Sequence, residues 1–164
     1  MKFERHTLIF GLYLIVLVGI AQYVADYLKL PIWPAYMCMI FFFVDHMDVK
    51  KAPHIVVGAV AGIAAILLFA PVIGSLAPHI GAEAAKIALI LALVYSIVAF
   101  NASFPLVFNS YAFMFITVSG LALETPAPNP YLWMAVAAIG GSLLIAGVVL
   151  IGKIAGPPPN AALD

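Results

Sequence analysis

The sequence predicts an all-α integral membrane protein of six transmembrane helices. Two observations carry this. Of 164 residues, 66% are hydrophobic and only 9% are charged, too little polar surface to cover a water-soluble core. The apolar residues also fall into six segments with short connections, some near the 20 residues that span a bilayer and others shorter. The segments use up about residues 1–155 as a single membrane domain, so function is expected in the bilayer or at its two faces.

The first helix is expected over about 7–27. Its basic, apolar start could pass for a signal peptide, but Gly19-Ile20-Ala21 makes a poor cleavage site, and an uncleaved helix is the reading. The second helix covers about 31–45 and is short. A polar connection, Asp45-His46-Met47-Asp48-Val49-Lys50-Lys51, leads to a third helix over about 53–69, opened by Pro53 and ended by Pro71. Residues 72–82 hold Gly74, Pro78 and Gly81 and read as a loop at the interface. The fourth helix covers about 83–100, and the fifth about 105–123, opened by Pro105. The sixth covers about 130–152, opened by Pro130. Gly156-Pro157-Pro158-Pro159 begins a disordered tail over 156–164.

Basic residues set the orientation. With the N-terminus inside, Lys2, Arg5, Lys50, Lys51 and Lys153 face the cytoplasm, against Lys29 and Lys86 outside. Both termini are therefore expected in the cytoplasm.

The two halves share their punctuation. Pro31 and Pro105 open the second and fifth helices, and Pro53 and Pro130 open the third and sixth, which then carry runs of Gly and Ala. Two inverted three-helix repeats would produce this pattern, and such repeats place solute sites at interrupted helices near the midplane. Prolines starting helices independently would produce it too. Gly58 and Gly62 are spaced to share one helix face and let another helix approach closely, as a helix-packing site.

Polar residues inside apolar segments are the candidates for a solute path. On the fifth helix these are Asn109, Ser110 and Thr117, with Ser119 nearby; Asn109, Phe113, Thr117 and Gly120 are expected on one face. A buried amide must either bond a neighbouring helix or line a wet cavity. Trp33 and Tyr36 on the second helix either belong to an interfacial aromatic belt or wall a pocket. Asp45, His46, Asp48 and His54 are the densest ionisable group. They lack the i, i+4 spacing of a helical metal site and are followed by Lys50 and Lys51, so a solvated loop and no metal are expected. Cys38 has no partner cysteine in the chain and reads as a small packing residue. Seven basic and seven acidic residues cancel without any basic tract, which leaves nucleic acid without an electrostatic footprint. No catalytic motif is present, so neither an enzyme nor a cofactor is expected.

The stretch Pro31-Ile-Trp-Pro-Ala-Tyr-Met, the polar turn and His54-Ile-Val-Val-Gly58-Ala-Val-Ala-Gly62 together resemble the membrane domain of the fusaric-acid-resistance and aromatic-acid exporters. They are also similar to small stand-alone inner-membrane proteins of unknown function. The sequence departs from the exporter pattern at His54, where Arg is usual, and at Ala59, where Thr is usual. The resemblance implies a six-helix, homo-oligomeric unit in a bacterial-type inner membrane that moves small solutes such as organic anions. The expectation is a transporter or channel with lipid, solute and further copies of itself as partners. The alternative is a non-catalytic subunit of a larger membrane complex.

Overall fold

A computed structural model describes residues 5–156, and among these every regular element is helical. In chain order the helices are α1 (Arg5–Leu28), α2 (Trp33–Val44), α3 (Ala52–Ile66), α4 (Phe69–Ile80), α5 (Ala82–Phe100), α6 (Ser110–Ala122), α7 (Pro130–Ala135) and α8 (Ser142–Ala155). A single 3-10 turn, Val49–Lys51, precedes α3, and π-helical backbone over Val136–Gly141 fuses α7 to α8. The tail expected over 156–164 lies outside the described residues except for Gly156.

Among the described residues, four helical stretches are long and apolar enough to cross a membrane: Arg5–Leu28, Val49–Ile80, Ala82–Phe100 and Pro130–Ala155. Trp33–Val44 and Ser110–Ala122 are apolar but shorter. This is the make-up of a membrane protein. α1 buries only Phe10 and Ala25, and α5 only Ala85 and Leu89, leaving large apolar side chains such as Leu12, Ile15, Leu91 and Val98 on the surface.

Backbone chemistry explains where helices stop. At the end of α1, Lys29 takes a left-handed φ of 53°. The Leu30 N–H then donates to Ala25 O at 2.8 Å and the Lys29 N–H to Asp26 O at 3.2 Å, which satisfies two of the last carbonyls. The end of α2 repeats the arrangement. His46 has φ 54°, Met47 N–H donates to Phe42 O at 2.9 Å and His46 N–H to Phe43 O at 3.1 Å. Lysine and histidine thus stand where glycine is usual, and both stops fall within a residue of the expected ends near 27 and 45.

Two expectations change. The 72–82 segment is helix rather than loop, because Pro71 falls in the first turn of α4, where no N–H is needed, and Pro78 in its last turn. Gly81, with φ 86°, supplies the break before α5, against which α4 packs. The fifth helix starts at Ser110 instead of Pro105, since residues 101–109 form irregular turns.

The chain divides into two compact units. One comprises residues 1–52 and 135–164, in which α8 packs on α1 and α2, and α2 packs on the π turn. The other comprises Pro53–Met134 and holds the rest of α3, then α4, α5, α6 and the start of α7.

Candidate functional site

In the second unit the short helix α6 is seated against α3. A Cβ on Gly58 would stand 2.5 Å from Asn109 Oδ1, and one on Gly62 would run into the Ala112 carbonyl oxygen and lie 2.8 Å from Phe115 Cβ. One turn on, Gly120 faces Ile66 Cδ1. Contacts thus advance along both helices in the same sense, so α3 and α6 run parallel. Only glycine permits this closeness at Gly62, because the obstruction is backbone.

Asn109 fastens the start of α6. Its extended backbone (φ −144°, ψ 173°) makes it the N-cap, and Oδ1 accepts the Ala112 N–H at 2.9 Å. Nδ2 faces three carbonyl oxygens, Pro105 at 2.9 Å, Leu106 at 3.0 Å and His54 at 3.2 Å. One amide therefore closes the irregular segment, starts the helix and ties both to α3. The residue is 6% exposed.

This position corrects the expected shared face. Asn109 precedes the helix, so it is not in register with Phe113 and Thr117. Those two are exposed, and Thr117 Oγ1 donates to its own Phe113 O at 3.0 Å. Ser110 is exposed as well. The buried side of α6 is instead Ala112, Phe115 and Ser119, the i, i+3, i+7 stripe that appears once the helix is started at the right residue. Ser119 is 0% exposed, and its Oγ has no hydrogen-bond partner. His54 Nδ1, also enclosed, has none either.

In the first unit α2 is seated against the last helix. Cys38 and Ala35 face Gly141 and Gly140: a Cβ on Gly141 would stand 2.8 Å from Cys38 Sγ, and one on Gly140 would stand 3.1 Å from Ala35 Cβ. Cys38 is fully buried, with Sγ 3.9 Å from Ala137 O, a weak contact to a carbonyl of the π turn. Tyr36 is half-buried, and its hydroxyl reaches Gln22 Oε1 at 3.1 Å and Val18 O at 3.3 Å on α1. Trp33, also half-buried, opens the helix. Phe10 and Phe43 meet edge to face, with centroids 6.4 Å apart.

The expected path residues are thereby divided, Trp33 and Tyr36 in one unit and Asn109, Ser110 and Thr117 in the other. Among the described residues no group of three or more His, Cys, Asp or Glu side chains could hold a metal ion.

A protein-family model described as a protein of unknown function, DUF1097, matches residues 12–153. The match carries no link to the fusaric-acid exporters. Neither a curated protein nor a solved structure matches the chain.

Proposed function

The chain belongs to the DUF1097 family, and for this member we propose a transporter or channel that passes a small solute across a membrane. The observation that supports it is the pair of short apolar helices, α2 of 12 residues and α6 of 13. At 1.5 Å per residue they reach about 18–20 Å, short of the roughly 30 Å of bilayer hydrocarbon. Irregular backbone beside such helices is tolerated at membrane depth where it is enclosed by protein or lines a water-filled cavity.

The short helices hold corresponding places. One offset, 77 residues, separates Trp33 from Ser110 and Pro53 from Pro130, which are the starts of α2 and α6 and the proline positions of α3 and α7. The same offset relates Ala35 to Ala112 and Cys38 to Phe115, the residues that meet glycine in each unit. We read this as two inverted three-helix repeats, in which interrupted helices at matching positions supply the solute site. Trp33 and Tyr36 on α2, and Ser110 and Thr117 on α6 with Asn109 at its cap, are the proposed path residues. The charge bias supports an orientation with both termini and the Lys50–Lys51 loop on the cytoplasmic side, and a bacterial-type inner membrane is part of the proposal. A homo-oligomer completes the proposal.

A second reading, a non-catalytic subunit of a membrane complex, draws on Asn109, whose amide is engaged by protein groups. Purified protein in lipid vesicles separates the two. Transport expects solute entry faster than in protein-free vesicles, and a homo-oligomer on purification. Entry equal to the protein-free rate for glycerol, urea and acetate, with fixed stoichiometric partners co-purifying, would establish the subunit reading instead.

A further inference from the structure

Four side-chain hydroxyls on the helices of this protein fold back onto their own backbone. Ser75 donates to Val72 O, Ser96 to Ala92 O, Thr117 to Phe113 O and Ser142 to Ala138 O, at 2.6–3.0 Å. Ser119 does not, although Thr117 does so only two residues away on the same helix. Its Oγ is enclosed and without a partner, on the buried stripe that continues from Ala112 and Phe115. Thr7 Oγ1 also lacks a partner, but it lies on α1 and not on the α3–α6 pair. A hydroxyl held out of water and unbonded opposes folding unless something else recovers the loss.

The 77-residue register sharpens the anomaly. Ser119 corresponds to Phe42, which is also 0% exposed and fills its place with a ring. Where one half closes with an aromatic side chain, the other holds a small polar one.

Charge narrows the ligand. Every described lysine and arginine, namely Arg5, Lys29, Lys50, Lys51, Lys86 and Lys153, is exposed. The enclosed polar atoms without partners on α3 and α6 are the Ser119 hydroxyl and His54 Nδ1. These lie at opposite ends of the parallel pair, with the glycine contacts between them. A hydroxyl in apolar surroundings bonds a neutral polar group and offers no charge to balance an anion.

We propose that Ser119 is a solute-binding residue, its hydroxyl hydrogen-bonding a small neutral polar solute of the glycerol or urea class. The inference rests on the transport reading above and names the solute class of that reading.

The test uses the full-length protein reconstituted in vesicles, with glycerol and urea as neutral probes and acetate as the anion. Parent protein should pass a neutral probe and exclude acetate. Ser119→Ala should cut neutral flux about three- to tenfold, the worth of one hydrogen bond, with a melting temperature equal to or above the parent's. Ser119→Thr, which keeps the hydroxyl, should retain more flux than Ser119→Ala, and Ser119→Phe should block it. Parent-like neutral flux in Ser119→Ala would overturn the assignment, as would a lowered melting temperature with flux falling only in step with folded protein. Acetate passing in place of the neutral probes would overturn the solute class while leaving transport standing. A parent protein that passes none of the three would remove the transport reading itself, and this inference with it.

Discussion

The two short helices are seated by the same device with different materials. α6 approaches α3 until Gly62 faces the Ala112 carbonyl, so backbone meets backbone. α2 approaches the last helix until Gly141 faces Cys38, so backbone meets a side chain. On the first seat α3 stays regular; on the second the receiving helix widens into the π turn of Val136–Gly141, a change that inserts one residue. Capping differs too. Asn109 closes α6 with its own side chain, whereas Ile32 before α2 offers none. A close approach can therefore be reached by bare backbone plus a strong anchor, or by a locally widened helix plus a small thiol.

The glycines give the largest way to break this comparison. Gly62→Ala should cost about 2–3 kcal/mol or more, the upper range for overpacking, because a carbonyl cannot be trimmed away. Gly141→Ala should cost about 1–2 kcal/mol and recover part of it when combined with Cys38→Ala. Thermal melts of the single and double variants decide the matter. Full rescue of Gly62→Ala by trimming Phe115 to Ala would show the seats to be equivalent.

Asn109 sharpens the anchor side of the contrast. Asn109→Asp keeps an oxygen for the Ala112 N–H but turns a second oxygen toward three carbonyls, whereas Asn109→Ser keeps a shorter capping group without that repulsion. The aspartate should be the worse variant, by about 1–2 kcal/mol, in denaturant unfolding of the detergent-solubilised protein. Equal losses would mean that only the cap matters and that the bonds to Pro105, Leu106 and His54 do not.

The smallest effect belongs to the exposed side of α6. Thr117→Val removes a hydroxyl that bonds only its own helix, and its unfolding free energy should stay within about 0.5 kcal/mol of the parent's in denaturant unfolding. A larger drop would place Thr117 in a contact beyond its own helix.

Much of this architecture was legible in the sequence, and the failures are local. Apolar composition reports the helical class because each helix needs a lipid-like run, and Pro53 and Pro130 mark true helix starts. Pro105 misled because an irregular segment separates it from Ser110, and the chain restarts only where Asn109 can cap. That five-residue error counted Asn109 as part of the helix, and a face anchored on Asn109 ran through Phe113 and Thr117 instead of through Ser119. Gly74 and Pro78 read as loop although α4 accommodates both, since a breaker's effect depends on its position within the turn. Of the candidate site, Gly58 and Gly62 were visible through their spacing. The π turn had no signal beyond a run of small residues.

The contact between Cys38 and Ala137 spans 99 residues of chain. A ribosome adding about 5–20 residues per second would finish α2 some 5–20 seconds before the helix that seats it exists. For that interval Ala35 and Cys38 present a bare face with no native cover. Biogenesis of this protein therefore contains a waiting step, during which an insertase or holding factor has something definite to shield.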